Sequence, residues 1–452
     1  MKIATQIKMR LAAMSFLEFA VWGAYLISMG MFLGEYGLGR YVFWFYTVQG
    51  LVSIFMPALI GTVADKWIPA QITLAICHFI AGGAMVGAGI IAASEISATG
   101  QLSFPLLFTL YTVSVAFFMP TIGLCNSVAF SGLEKNGMDT VKAFPPIRTL
   151  GTVGFIVAEL FVNFVVIGGE TIQHSYWQFY TSGILSFVLA LYSLTLPACN
   201  VNKGASAGLA DAFGLKAFSL FKKKEMAIFF IFSMLLGVSL QITNSYGSSF
   251  ISQFGNVPQY MSDWWAKNPT FLISISQCAE ALCILMIPFC LKKFGIKGVM
   301  LMAMFAWVLR FGFFGIGNTS ASGVPFLILS CIVYGVAFDF FNVSGGLYVD
   351  LKTDSKLRSQ AQGLFMLMTN GIGASLGTFI AGTFIVNNLV FAESIQDDPV
   401  AQLQGWRTSW FIFAGYALVV AVLFMLIFKE KKENLTKREI ATAEEKDELL
   451  TK

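Results

Sequence analysis

The sequence predicts an all-α membrane protein with twelve transmembrane helices in two six-helix halves. Three observations carry that expectation. Of 452 residues, 56% are hydrophobic and only 12% charged, with a mean hydropathy of +0.73, a balance outside the range of ordinary soluble globules. Apolar runs of roughly 20 residues, the length that crosses about 30 Å of hydrocarbon, recur twelve times along the chain. A Lys-rich polar stretch at the centre then separates the first six runs from the last six.

In chain order the runs fall at 11–34, 41–64, 70–93, 103–130, 147–169, 175–197, 226–252, 270–291, 298–317, 323–349, 359–387 and 406–428. The first is too long for a signal-peptide core and has no evident cleavage site, so it reads as a retained helix. Residues 1–197 form the N-terminal half, 198–225 a cytoplasmic linker, 226–428 the C-terminal half, and 429–452 a charged tail of mixed sign. Lysine and arginine set the orientation. Of the 29, the expected outer loops hold only Arg40, Lys267 and Arg407, while Arg148 and Arg310 lie inside spans. The rest fall on the side that carries both termini, which places the termini in the cytoplasm. The net charge of +4 therefore reports topology, and no nucleic-acid partner is expected; membrane lipid is.

Signatures of chemistry are weak. No HExxH, P-loop or dinucleotide fingerprint stands in a workable context, so no enzyme activity, cofactor or metal is expected. Gly373-Ala374-Ser375-Leu376-Gly377 matches a nucleophile elbow, but that motif needs a strand-turn-helix. Here it lies in an apolar span, where small residues four apart suit helix packing. The seven cysteines read as small packing residues, with Cys278 a candidate to border a cavity.

The informative residues are polar groups inside spans, which are expensive there and normally face a wet cavity or a partner. Arg148 stands in FPPIRTLGTVGF (144–155), with Asp339 its expected partner and Glu280 a second. Arg148, Thr152, Phe155 and Glu159 share one helical stripe, since eleven residues at about 100° each return close to the starting face. Gln241, Asn244 and Ser248 share another, and Gln277 lies near Glu280. Tyr334, Phe338 and Phe341 form an aromatic stripe beside Gly335, Asp339, Asn342 and Gly346. Together these helices are expected to wall a wet cavity. Each residue also has a plainer reading. Amides glue membrane helices together, aromatic stripes pack, Arg148 near Pro145-Pro146 can snorkel to the headgroups, and Asp339 can serve a structural salt bridge. Glu18 and Trp22 are read as further candidates for the cavity wall, and His78 as a satisfied core histidine. Arg310 stays open between structure and function.

Two six-helix halves joined by an inner linker form the outline of the major facilitator superfamily, whose substrate sites lie at the midplane between halves. GTVADKW (61–67) resembles a shortened form of its inner-loop motif, and LKKFGIKG (291–298) stands at the equivalent point of the second half. FPPIRTLGTVGF, MAIFFIFSMLLG followed by LQITN, ISQCAE, IVYGVAFDFFN and AQGLFMLMTNGIG closely resemble the bacterial nucleoside:proton symporters, the nucleoside permeases of the NupG type. The similarity covers nearly the whole chain. It implies proton-driven import of purine and pyrimidine nucleosides by alternating access, normally by a monomer. It also implies a substrate site of Arg148, Thr152, Phe155, Gln241, Asn244, Gln277, Glu280, Tyr334 and Phe338, with proton coupling at Asp339 and Arg148. Glu18 and Glu159 fall outside what the resemblance carries. A sugar or oligosaccharide proton symporter on the same scaffold is the alternative reading, and a non-transporting membrane nucleoside receptor the alternative of another class.

Overall fold

The computed structural model describes residues 2–201, 215–353 and 357–429; residues 202–214 of the linker and 430–452 of the charged tail lie outside the described residues. The long helices are α1 (Lys2–Gly23), α2 (Val42–Lys66), α3 (Ala70–Thr99), α4 (Phe104–Lys135), α5 (Thr140–Phe164), α6 (Trp177–Ser193), α7 (Lys224–Gln253), α8 (Pro269–Cys283), α9 (Ile287–Ile316), α10 (Val324–Lys352), α11 and α12 (Pro399–Ile427). Helix α11 begins at Arg358–Met366 and runs on through wider turns to Asn387–Leu389. Among the described residues, nine helical stretches are long and apolar enough to cross a membrane. The difference from the expected twelve has physical causes. Helix α1 carries Lys2, Lys8, Arg10 and Glu18, α6 has only 17 residues, and α8 and α9 join into one stretch, Pro269–Ile316. That stretch is broken at Gly295, whose φ of 68° and ψ of 176° suit glycine because it has no Cβ to clash. The predicted turn in LKKFGIKG is this break.

Close helix pairs are built on glycine. A Cβ on Gly154 would lie 2.1 Å from the Phe16 carbonyl oxygen, and one on Gly23 2.4 Å from that of Phe155, so α1 and α5 touch backbone to backbone. The C-terminal counterpart joins α7 to α11: a Cβ on Gly373 would stand 2.2 Å from the Met234 oxygen, and one on Gly377 2.6 Å from Val238. The packing reading of the Gly373–Gly377 motif therefore holds. Large apolar side chains such as Leu191 and Leu285 are 69% and 74% exposed, as a surface solvated by lipid tails requires.

The bundle has a linker face, which carries the start of α1 and the end of α12, and an opposite face. Between α5 and α6 the opposite face carries a hairpin the sequence reading did not foresee, with Val166–Ile167 paired to Glu170–Thr171. Its two-residue turn is Gly168-Gly169, at φ of 69° and 98°, the positive values such turns demand.

The hydrogen bonds that join N-terminal to C-terminal helices cluster at the hairpin face. Asn163 on α5 donates to Asn268 Oδ1 at 2.8 Å and accepts from the Phe271 amide at 3.0 Å. Gln173 donates to the Lys267 carbonyl at 3.3 Å, Arg40 pairs with Glu393 at 2.9 Å, and Ser248 on α7 donates to the Ile27 carbonyl. Polar pairs at the linker face stay within one set of helices, as with Lys352–Glu225 and Lys135–Asn200. The α2–α11 contact extends from Gly382 against Phe43 to Gly371 against Ile54, and beyond it a Cβ on Gly61 would meet nothing within 4 Å. The halves are shut at the hairpin face and part toward the linker face.

One seal at the hairpin face depends on pH. His174 Nδ1 lies 2.7 Å from Glu35 Oε1, and the same carboxylate oxygen accepts from Ser252 of α7 at 3.3 Å. Burial pushes the His174 pKa down, but the hydrogen bond and charge of Glu35, with the charge of Glu170, outweigh it and leave the pKa raised above 6.5. A raised histidine stabilises the fold below its unfolded pKa, and that contribution is lost as pH rises through the folded value. The purified protein is therefore expected to lose thermostability as pH rises above the ordinary histidine value of about 6.5. In His174→Gln that part of the pH dependence should vanish; an unchanged profile would remove His174 as its source.

Candidate functional site

At mid-depth the candidate residues converge from α5, α7, α8 and α10. Arg148, Thr152, Asn244, Glu280 and Phe338 are half-buried, while Phe155, Gln241, Gln277, Tyr334 and Asp339 are buried. The half-buried set keeps contact with solvent although the hairpin face is shut, as expected of a cavity entered from the linker face.

The expected Arg148–Asp339 ion pair is not formed. Among the described residues Arg148 has no carboxylate within ion-pair distance; its guanidinium carbon instead stands 4.0 Å over the Phe19 ring, a cation–π contact. Glu280, Asp339 and Glu18 are the carboxylates whose charge reaches it. Asp339 is 4% exposed and its Oδ2 has no hydrogen-bond partner. The reason is the state of the bundle. With the halves parted toward the linker face, α5 holds Arg148 against α1 of its own half, away from α10.

The aromatic stripe of α10 divides: Phe341 is buried against Phe229 and Phe365, while the other two rings lie together. Tyr334 and Phe338 stack with ring centroids 5.8 Å apart and planes within 9°. Trp307 of α9 meets Tyr334 edge-on at 5.8 Å. Across the cavity Trp22 meets Phe155 edge-on at 6.1 Å, and its Nε1 has no partner. Gln277 Oε1 is likewise unpaired, so a buried acceptor stands ready for a ligand donor. Gln241 is differently employed: its Nε2 donates to Gln49 Oε1 of α2 at 3.1 Å, which makes it a bridge between halves here, as the helix-glue reading allowed.

A small, partly open pocket lies beside the stacked rings, lined by Leu240, Trp307, Phe338, Phe341, Asn342 and Asn370 among others. Sequence reasoning missed Trp307 and Asn370; the lone tryptophan of α9, three residues before Arg310, was the available signal.

Two residues read as cavity candidates are placed elsewhere or sealed. Glu18 turns into the N-terminal half, where its carboxylate accepts from Thr121 at 2.6 Å and meets His78 Nε2 at 2.8 Å, with His78 Nδ1 2.9 Å from Ser186. Glu18 and His78 are both fully buried, so His78 is a satisfied core histidine as expected and Glu18 is its partner, not a cavity ligand. Glu159 is also fully buried, with neither carboxyl oxygen hydrogen-bonded. Arg310, left open by the sequence, is a framework residue of the C-terminal half. Its Nη1 donates to the Ser330 carbonyl at 2.8 Å and to Ser276 at 3.2 Å, and its guanidinium stands 4.6 Å over Tyr334. Cys278 is the exposed cysteine among seven, the other six being buried.

Helices long and apolar enough to cross a membrane, packed around half-buried polar and charged side chains at mid-depth, are the architecture of a membrane transporter. The chain belongs to the nucleoside H+ symporter family, whose model matches residues 5–433. It is 43% identical over 426 residues to the xanthosine permease of Escherichia coli K12, and 41% identical over 429 residues to the nucleoside permease NupG of the same organism, covering 94% of this chain and 96% of each relative. The crystal structure of the nucleoside transporter NupG superposes with a TM-score of 0.82 at 40% identity, over 94% of this chain and all of that one. A bacterial homologue of the lysosomal transporter Spinster, at 14% identity and a TM-score of 0.66, shares the fold. The fold is that of the major facilitator superfamily, and the protein is a nucleoside symporter, a transporter with no enzymatic role.

Proposed function

We propose that this chain imports purine and pyrimidine nucleosides together with protons by rocking its halves, 1–197 and 226–428, about the central site. The observation that carries the reading is the juxtaposition of the Tyr334–Phe338 platform with the charges of Arg148, Glu280 and Asp339 in a cavity sealed at one face. Bases stack on aromatic faces with a gain of roughly 1–3 kcal/mol per base, largely independent of their identity. Ribose hydroxyls and base edges donate and accept, and the unpaired Gln277 Oε1, with Glu280, Asn244 and Thr152, supplies complementary groups. A site whose buried polar atoms stay unpaired without the ligand's hydroxyls penalises analogues that lack them. Arg148 and Asp339 carry the coupling, Gln241 both binds and bridges, and Phe155 closes the cavity opposite the platform. The relatives make this a multi-pass inner-membrane protein; with its termini in the cytoplasm, the present state is open inward. We take the monomer, embedded in lipid, as the working unit.

The test is uptake of radiolabelled uridine and xanthosine into cells that lack nucleoside permeases, with and without a protonophore. One proton contributes roughly 2.3 kcal/mol per 100 mV, equivalent to about a fiftyfold gradient. Accumulation that collapses with the protonophore is expected. Absence of uptake from cells shown to carry the protein in the membrane would sink the substrate assignment.

A further inference from the structure

Among the described residues, Glu159 is a buried carboxyl group that neither the substrate site nor the hydrogen-bond framework uses. It is 0% exposed, and both of its carboxyl oxygens lack any hydrogen-bond partner. An isolated ionised carboxylate without donors is too costly to seal away from water, and such a group stays as the neutral acid. Its position is equally specific. On α5 it stands one turn from Asn163, whose bonds to Asn268 and the Phe271 amide lock α5 to α8 across the halves, and one turn on its other side from Phe155. Glu159 therefore sits between the lock at the hairpin face and the central cavity.

The groups that face it are few. From α8, Glu280 acts on it and it acts on Cys278; from α10 its charge reaches Cys331 and Tyr334. Arg310 of α9 bears on those two α10 side chains but forms no ion pair with Glu159. Helix α1 offers Ala20 and Ala24 beside Ala158 and Val162, and its one carboxylate in this region, Glu18, is already held by Thr121 and His78.

We propose that Glu159 is the proton-entry group of the transporter, exposed when the Asn163–Asn268 lock opens, loaded there from solvent, and sealed as the neutral acid when the lock closes. Before the lock closes the proton passes to the carboxylate of Glu280, the neighbouring acid that faces the cavity: the Glu159 O–H bond breaks, an O–H bond forms on Glu280, and a second proton from solvent restores the Glu159 acid that is then sealed. This inference rests on the proton-coupled reading above and assigns a further residue to it.

Glu159→Gln keeps the size and neutrality of the sealed acid but carries no proton. The experiment compares wild type and E159Q in proteoliposomes for three quantities: uridine counterflow, uridine-dependent proton uptake, and the accumulation ratio under an imposed potential. We expect E159Q to retain counterflow within about twofold of wild type, to lose proton uptake, and to lose at 100 mV the roughly fiftyfold concentrating power that one proton supplies. Glu159→Asp should restore proton uptake in part. Wild-type proton uptake and accumulation in E159Q would overturn the proposal, and so would loss of counterflow together with coupling, which would make Glu159 a binding or packing residue. A wild-type protein that exchanges uridine without proton uptake would instead overturn the coupled reading, and this proposal with it.

Discussion

Asp339→Asn is expected to abolish uphill accumulation of nucleoside while leaving downhill exchange measurable. The argument begins with position. Asp339 lies deep in α10, one residue after Phe338 of the stacking platform, and is 4% exposed with Oδ2 unpartnered. Arg148 lies on α5 and rests over Phe19 in the present state, with the bundle parted toward the linker face. A carboxyl deprived of its counterion in a low-dielectric setting gives up its charge, and an arginine brought alongside restores it. Rocking the halves alters the distance from α5 to α10, so Asp339 changes its hold on a proton with the conformational cycle. Asparagine keeps the shape and loses that response. The concentrating power lost is roughly fiftyfold at 100 mV for one proton. Retention of protonophore-sensitive accumulation in D339N would transfer the coupling role to Glu280.

Much of this was legible in the sequence, and what was not has identifiable causes. The turn at Gly295, the glycine packing of α7 on α11 and the Tyr334–Phe338 platform follow from local pattern, because each depends on spacing within one helix. The Arg148–Asp339 pair did not form, because it depends on the relative position of two halves, and a single sequence must serve every position in the cycle. Glu18 was assigned to the cavity wall from its place one turn from Trp22, yet α1 has neighbours on several sides. Only the packing of α3, α4 and α6 shows that Glu18 turns toward His78 and Thr121 while Trp22 meets Phe155. The lock formed by Asn163 was invisible for the same reason: its partners Asn268 and Phe271 are more than a hundred residues away. Helical period reveals which residues share a stripe, not what the stripe faces.

Gly154→Val is expected to cost both stability and transport, because the geometry of the site is fixed by how closely α1 approaches α5. A Cβ at Gly154 would stand 2.1 Å from the Phe16 carbonyl oxygen and 2.8 Å from its carbon, and one at Gly151 2.6 Å from the Phe19 ring. The obstacle at Gly154 is backbone, which cannot swing aside as a long side chain would, so the helices must separate. Phe19 and Trp22 on α1 would then move away from their partners on α5, breaking the 4.0 Å contact with Arg148 and the edge contact with Phe155 together. Overpacking of this kind costs about 1–3 kcal/mol, and a shift of even 1 Å at a binding site can cost about a hundredfold in rate. Gly123→Ala on α4 is the control, since a Cβ there meets nothing within 4 Å. Thermal unfolding in detergent and uridine uptake, measured on both variants, should show G154V impaired in each and G123A unchanged. A G154V protein with wild-type uptake would mean that the α1–α5 approach does not set the cavity wall.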